Sequence, residues 1–204
     1  RYGVNGTAIH LTGRGDFGNA FALELPPGKS TEPQQHLYEE IMYVVEGRGS
    51  TQIEFPDGRT HSFEWQRDSL FAIPLNMRYR LHNGDGRNRA MIASVTNLPL
   101  TMMMYHNEKF IFDNKFFFDD RMGKDDWYAG KGELNLVRAG QNIWETNFVP
   151  DLAGIELHAW NERGAGSTNL MFLLGNGNMH AHTSEIATAT YKKAHHHSAG
   201  AHIF

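Results

Sequence analysis

The chain has 204 residues, of which 40% are hydrophobic and 21% are charged, and its 19 basic and 23 acidic residues give a net charge of −4. These values are typical of a globular protein of one or two domains, and they exclude a disordered chain and a strongly basic nucleic-acid-binding protein. The absence of cysteine excludes disulfides, cysteine zinc sites and a thiol nucleophile. The sequence shows neither a bilayer-length apolar run nor a signal pattern, so we expect a cytoplasmic protein without a membrane partner.

Short apolar stretches separated by turn residues fill the first half of the chain, residues 1–105. They are rich in β-branched and aromatic residues, and turn signals recur about every ten residues, which is typical of an all-β sandwich or barrel. Pro56-Asp57-Gly58 is a clear hairpin turn, because Asp and Gly tolerate the backbone angles that such a turn requires. The last strand of this first unit is predicted at residues 101–105.

The second half of the chain has a less regular pattern. Residues 106–134 are rich in phenylalanine, and we interpret them as a linker that docks its aromatic side chains on both neighbours. From residue 135 to 204 the strand pattern returns, at 136–137, 155–160, 169–174 and 185–191, with a short helix predicted at 141–144. These residues predict the beginning of a second β unit that is incomplete within this sequence.

Two spaced motifs in the first unit give the strongest signal. Residues 28–47 follow the pattern G-x5-Q-x-H-x3-E-x6-G, with Gln34, His36 and Glu40 at its polar positions. Residues 68–83 follow with Pro74 and Asn83 at fixed positions, but Asp68 and Asn76 stand where glycines are usual, and Tyr79 stands where a histidine is usual. This pair of motifs resembles the two motifs of the cupin superfamily, which implies an all-β cupin barrel of the double-stranded β-helix or jelly-roll type.

The resemblance also implies a metal site, from which this sequence departs. Residues two apart on a strand share a face, so Gln34, His36 and Glu40 can face the barrel interior together, with Tyr79 on an adjacent strand. Gln and Tyr are poor replacements for imidazole ligands, and a His-Glu pair alone binds a divalent ion weakly. We therefore expect His36 and Glu40 to form an interior hydrogen bond in a metal-free barrel. Gln34, His36, Glu40, Tyr79 and Arg80 remain candidates for a small-molecule pocket.

The end of the chain carries a histidine cluster. His195 and His197 form an H-x-H pair, and His202 follows after four residues. The pattern resembles the ligand strand of a second cupin unit, with His202 in place of the usual glutamate. Such an all-histidine set resembles bicupin ring-cleaving Fe(II) dioxygenases of the gentisate 1,2-dioxygenase-like group. The alternatives for this segment are a solvated loop or a remnant of a purification tag.

Three further residues near this cluster are candidates for substrate contacts. His180 and His182 form a second H-x-H pair, which the preceding Gly175-Asn176-Gly177-Asn178 run predicts to lie at a turn. We expect these histidines to face a substrate or form hydrogen bonds at the barrel mouth. Lys193 is a candidate partner for a substrate carboxylate, and the alternative is an ordinary solvated lysine.

Together these patterns predict a metal-dependent bicupin oxidoreductase. The resemblance implies an Fe(II) dioxygenase that acts on a small, aromatic carboxylate, with His195, His197 and His202 as metal ligands. One alternative is a Mn(II) or other divalent-metal cupin that catalyses decarboxylation or isomerisation, and another is a non-enzymatic cupin that binds a small ligand. Because cupin barrels pair through their sheets, we expect a homodimer or a larger homo-oligomer.

Overall fold

The computed structural model describes residues 1–10, 16–118, 125–164, 166–175 and 177–194. Within those ranges the chain is mainly β-sheet, with two short α-helices after the eighth strand and 3₁₀ turns at Asp125–Tyr128 and Asn161–Arg163. The strands are β1 (Asn5–Ile9), β2 (Asn19–Leu25), β3 (Glu40–Glu46), β4 (Arg48–Glu54), β5 (Thr60–Gln66), β6 (Leu70–Ala72), β7 (Arg78–Asn83), β8 (Ala90–Thr96), β9 (Glu133–Arg138), β10 (Gln141–Thr146), β11 (Phe148–Val149), β12 (His158–Ala159), β13 (Ser167–Leu174) and β14 (His180–Ile186), and the helices are α1 (Leu98–Tyr105) and α2 (Glu108–Phe112).

The first unit consists of two sheets around one core. The larger sheet has the strand order β1-β2-β8-β3-β6-β11, and the smaller sheet has the order β5-β4-β7. Alternate residues of each strand point inward, as Met42 and Val44 do on β3, where both are fully buried. They pack with Trp65, Phe71 and other aromatic side chains from both sheets. The all-β architecture predicted from the sequence is therefore confirmed for this unit.

The two positions that lack the usual glycine still have a glycine-like backbone. Asp68 has φ 68° and Asn76 has φ 59°, both in the left-handed region. Asp and Asn enter this region more readily than other non-glycine residues, because their short polar side chains form local hydrogen bonds. Asp68 and Asn76 therefore keep the backbone conformation that a glycine would adopt at these two positions.

The second unit contributes one sheet, in the order β12-β13-β10-β9, with β14 paired to β13. Its apolar face, with Leu170, Phe172 and Leu174 buried, packs against Leu70 and Ala72 of β6. The short strand β11 pairs with β6 and so extends the larger sheet of the first unit. The larger sheet is therefore covered by a core on its inner side and, at β3 and β6, by the second unit on its outer side.

The structure corrects the predicted strand at 101–105, which belongs to helix α1. Pro99 lies in the first turn of this helix, where a missing N–H costs nothing, and Met102 accepts the hydrogen bond from His106 N that ends it. Met103 and Met104 are both exposed, so the run Met102-Met103-Met104 lacks the alternation of buried and exposed residues that is typical of a strand. The apolar content alone did not separate a helix from a strand here.

Two predictions in the second unit are also wrong. Residues 141–144 lie in β10 and not in a helix, because the turn at Gly140 (φ 76°) reverses the chain and pairs β10 with β9. His180 and His182 lie in β14 and not at a turn, because the turn closes earlier, at Gly175 and Gly177. The predicted strand at 185–191 accordingly ends at Ile186, and a turn closed by the bond from Thr190 N to Ala187 O follows.

The aromatic linker is docked on the first unit. Asn76 donates from Nδ2 to the carbonyl oxygens of Asn114 and Phe116, and Gln35 donates to the carbonyl oxygen of Asn114. Tyr128, from the 3₁₀ turn, is buried in the core of the first unit. None of the helices in the described ranges is both long enough and apolar enough to cross a membrane.

Candidate functional site

The backbone brings the polar positions of the two motifs together inside the first unit. Gln34 and Tyr79 form a two-way backbone bridge, with N–O distances of 2.8 and 2.9 Å. Asn76 N donates to His36 O at 2.9 Å, which fixes the histidine beside the loop that leads into β7. Glu40 begins β3 on its inward face. The predicted interior placement is confirmed, since His36, Glu40 and Tyr79 are only 5%, 3% and 1% exposed.

Glu40 is the centre of a closed hydrogen-bond network. The Tyr79 hydroxyl donates to Glu40 Oε2 at 2.9 Å, and the Tyr2 hydroxyl lies 3.0 and 2.9 Å from its two carboxylate oxygens. His36 Nε2 lies 3.2 Å from the Tyr79 hydroxyl and 3.4 Å from Glu40 Oε2. His36 Nδ1 donates to the carbonyl oxygen of Tyr38 at 2.8 Å, and the two rings stack 3.6 Å apart. We call these four residues, Tyr2, His36, Glu40 and Tyr79, the Glu40 network.

Gln34, at the first ligand position, turns away from this network. Its Nε2 donates to the carbonyl oxygen of Glu32 at 2.9 Å, and its Oε1 accepts from Arg1 Nε at 3.0 Å. Both ends of the amide are therefore engaged with the N-terminal segment and the preceding loop. Arg80, the other polar candidate, points outward from β7, 4.0 Å from a Glu54 carboxylate oxygen.

The network sets the protonation of its members. Burial alone raises the pKa of Glu40, but the hydrogen bond and charge of His36, together with the Tyr2 hydroxyl, outweigh burial and hold that pKa below its usual value of 4.5. Burial, followed by the charge of Glu40, raises the pKa of both Tyr2 and Tyr79 well above the ordinary phenol value. Near neutral pH the carboxyl is therefore ionised, and both phenols keep the protons that they donate to it.

These side chains do not fit a metal ion. Both oxygens of Glu40 already accept hydrogen bonds from phenols, and the amide of Gln34 is committed elsewhere. A neutral phenol with a raised pKa is a poor ligand, because metal binding requires its deprotonation. No group of three or more His, Cys, Asp or Glu side chains in the described ranges could hold a metal. The predicted His36–Glu40 contact in the barrel is present, at 3.4 Å, and Tyr79 bridges the pair.

The second candidate region lies on the sheet of the second unit. His180 and His182 are exposed and two residues apart on β14, so they share one face of the strand. Lys193 is exposed, and its backbone N–H donates to the carbonyl oxygen of Arg163 at 2.8 Å. The predicted ligands His195, His197 and His202 lie outside the described residues. The structure brings none of the described candidates of this unit, His180, His182 and Lys193, into the Glu40 network.

Glu39, next to Glu40 in sequence, links the two units. Its carboxylate accepts from Asn178 N at 2.9 Å, from Met179 N at 2.7 Å and from Asn178 Nδ2 at 3.2 Å. The residue is only 9% exposed, so these bonds to a charged acceptor form away from bulk water. They fix the turn between β13 and β14, which leads directly into the strand of His180 and His182.

Sequence reasoning missed Tyr2 and Glu39. Nothing near Tyr2 in the sequence indicates that the N-terminal segment returns to the barrel, since its contact with Glu40 spans 38 residues. For Glu39 a signal was available, because a charged residue beside an inward-facing one must point to the opposite side of the sheet. Its partners on the outer side of the sheet, Asn178 and Met179, belong to the second unit, and only the folded structure shows that this unit packs there.

Comparisons with known proteins give structural similarity only. No protein-family profile matches the sequence, and no curated protein matches it. Among solved structures, the chain is similar to Bacillus subtilis oxalate decarboxylase, a protein with Mn(II) centres, at 18% identity and a TM-score of 0.40. It is also similar to tomato vicilin at 19% identity and a TM-score of 0.42, and to an oxalate oxidase in complex with glycolate at 18% and 0.42.

The matched part is limited on both sides. It covers 48% of this chain for the decarboxylase and the vicilin and 47% for the oxidase. On the other side it covers 26%, 31% and 51% of those chains, so this chain spans about half of their length or less. These three neighbours are two enzymes and one vicilin, and they do not select an activity for this chain.

Proposed function

We propose that the chain is part of a metal-dependent cupin oxidoreductase whose metal is bound in the second unit by His195, His197 and His202. The proposed metal is Fe(II), and the proposed substrate is a small carboxylate with an aromatic body. One observation carries the proposal: the ligand positions of the first unit are occupied by their own hydrogen bonds around Glu40. Metal chemistry in this chain therefore depends on the histidine-rich segment.

Contacts just before this segment support the placement. Lys192 Nζ donates to Ser184 Oγ of β14 at 3.1 Å, and Lys193 N donates to the carbonyl oxygen of Arg163. The chain therefore remains attached to the second unit up to the residues that precede His195. Three imidazoles within eight residues form a neutral donor set that suits Fe(II) and leaves the positive charge of the metal uncompensated.

The surrounding residues have defined roles in this proposal. Bound Fe(II) would supply the redox chemistry that dioxygen requires, together with a positive charge that attracts an anionic substrate. His180 and His182, on one face of β14, would form hydrogen bonds to the substrate and limit its orientation. Lys193 would pair with its carboxylate. The Glu39 bonds to Asn178 and Met179 would hold β14 in position for these contacts.

The test is metal content measured together with dioxygen uptake in the full-length protein. We expect the double variant His195→Ala/His197→Ala to lose both the metal and turnover, while His36→Ala keeps the metal, because metal affinity depends on the number of imidazole ligands. Circular dichroism would show that both variants are folded. Metal retained in the double variant, or lost in His36→Ala, would overturn the assignment. If the protein instead contained manganese, released carbon dioxide and consumed no dioxygen, the activity would be that of a decarboxylase and not of a dioxygenase.

A further inference from the structure

A cavity of about 240 Å³ lies beside the Glu40 network and shares only Tyr2 with it. The N-terminal segment, β1, β2 and the two helices form its walls. Tyr2 separates the cavity from Glu40, because it lines the cavity while its hydroxyl is bonded to the carboxylate behind it. The lining is largely apolar, with side chains from Val4, Phe21, Leu23, Leu98 and Phe112.

Arg1 is the charged residue of this lining. Its guanidinium carbon lies 3.8 Å from the centre of the Phe112 ring, so the ring face supports the cation. Nε donates to Gln34 Oε1 at 3.0 Å, and Nη2 donates to the carbonyl oxygen of Gln35 at 2.6 Å. These bonds use two of the five N–H donors that a guanidinium carries. Both acceptors are neutral, so the positive charge has no counter-charge in these contacts.

The charge balance of the cavity favours an anion. None of the ion pairs among the described residues involves Arg1, and no acidic residue lines the cavity. The buried carboxylate of Glu40 is already paired with Tyr2 and Tyr79 and lies on the far side of Tyr2. The Phe112 ring covers one face of the planar guanidinium and leaves its edge accessible. From that edge a guanidinium can donate two parallel hydrogen bonds to the two oxygens of a carboxylate.

We propose that this cavity of the first unit binds a small carboxylate with an apolar or aromatic body, whose carboxylate pairs with Arg1 while its body packs on Phe21, Leu23 and Leu98. The site requires no metal, so it goes beyond the proposed chemistry of the second unit. It gives the first unit a binding role of its own, in spite of the closed Glu40 network. The apolar walls provide affinity, and the single cation provides selection by charge.

The test is calorimetric titration of the full-length protein with benzoate, with hexanoate as the non-aromatic probe. We expect both carboxylates to bind and benzamide, the uncharged analogue of benzoate, to bind at least fivefold more weakly. Arg1→Gln should weaken benzoate binding about fivefold, which is the scale of one partly exposed charge pair. Arg87→Gln is the matched control, because it removes one arginine charge from an exposed turn and should leave the affinity unchanged.

Two further variants locate the site and separate it from the metal site. Leu98→Trp fills the cavity from α1 and should abolish binding of both carboxylates. His195→Ala/His197→Ala should retain the benzoate binding that Arg1→Gln weakens, because the cavity lies in the first unit; benzoate bound at the proposed metal site would be lost in this variant alone. The proposal is overturned if neither carboxylate binds, or if Arg1→Gln and Leu98→Trp both bind benzoate like the wild type. Loss of all benzoate binding in the histidine double variant, with binding unchanged in Arg1→Gln, would place the carboxylate at the second unit only, which would contradict this inference and agree with the proposed function.

Discussion

The two units use the same residue types in opposite ways. In the first unit a histidine and a glutamate four residues apart are buried and satisfied by two phenols, so they form a structural core of polar groups. In the second unit a histidine pair two residues apart is exposed on a strand. The comparison teaches that metal-ligand spacing is not sufficient for a metal site, because neighbouring donors can occupy every free position of the ligands.

Removal of the Glu40 carboxylate should produce the largest difference between the two units. Glu40→Ala leaves His36, Tyr2 and Tyr79 buried without their common acceptor, so we expect it to lower the free energy of unfolding by about 3 kcal/mol. His180→Ala and His182→Ala, at exposed positions, should each change it by less than about 0.5 kcal/mol. Urea denaturation measures all three variants. If all three variants lowered the free energy of unfolding by similar amounts, the contrast between a structural histidine-glutamate pair and an exposed histidine pair would be wrong.

Part of the Glu40 contribution should depend on pH. The pKa of Glu40 is lowered in the folded protein from 4.5, so its ionisation stabilises the fold above that value, and this contribution is lost as the pH falls through the folded pKa. The stability difference between the wild type and Glu40→Gln should therefore be greatest near neutral pH and shrink below about pH 4.5. Denaturation midpoints measured at several pH values test this. A difference that grew on acidification would mean that Glu40 is protonated when folded.

Glu39 tests the connection between the units. Glu39→Gln keeps the shape of the side chain but removes the charge and one acceptor for the N–H groups of Asn178 and Met179, so we expect a loss of about 2 kcal/mol. Amide exchange at these two residues should become faster, while exchange at Tyr79 stays slow. Glu64→Gln, on the exposed side of β5, is the matched control. Unchanged exchange at residues 178 and 179 would show that Glu39 does not hold the turn.

The smallest expected effect concerns the backbone of the second motif. Asn76→Gly and Asn76→Ala both lose the bonds to Asn114 and Phe116, but only alanine is strained at the φ of 59°. We therefore expect the glycine variant to be more stable than the alanine variant by about 1 kcal/mol. Thermal unfolding of both variants provides the measurement. Equal stability would mean that the loop relaxes to another backbone conformation.

Several features of the fold could be predicted from the sequence because they depend on local spacing. The period of two along β3 and β7 placed Glu40 and Tyr79 inside the first unit, and the Asp-Gly turn fixed the β4–β5 hairpin. His36 is buried as predicted, but it lies in the segment before β3 and not on a strand. The chemistry of the two motifs also predicted a contact between His36 and Glu40, which lie 3.4 Å apart. These inferences needed only the chemistry of each side chain and its position relative to near neighbours.

Other features depended on contacts between distant residues. The sequence did not separate a helix from a strand at 101–105 or at 141–144, because short apolar runs fit both until a neighbouring strand or a proline decides between them. The closing of the Glu40 network by Tyr2, the Arg1 cavity and the Glu39 bonds to the second unit each join residues more than 30 positions apart. Only the tertiary structure brings such residues together, because the packing of whole sheets, and not local spacing, decides which buried groups meet.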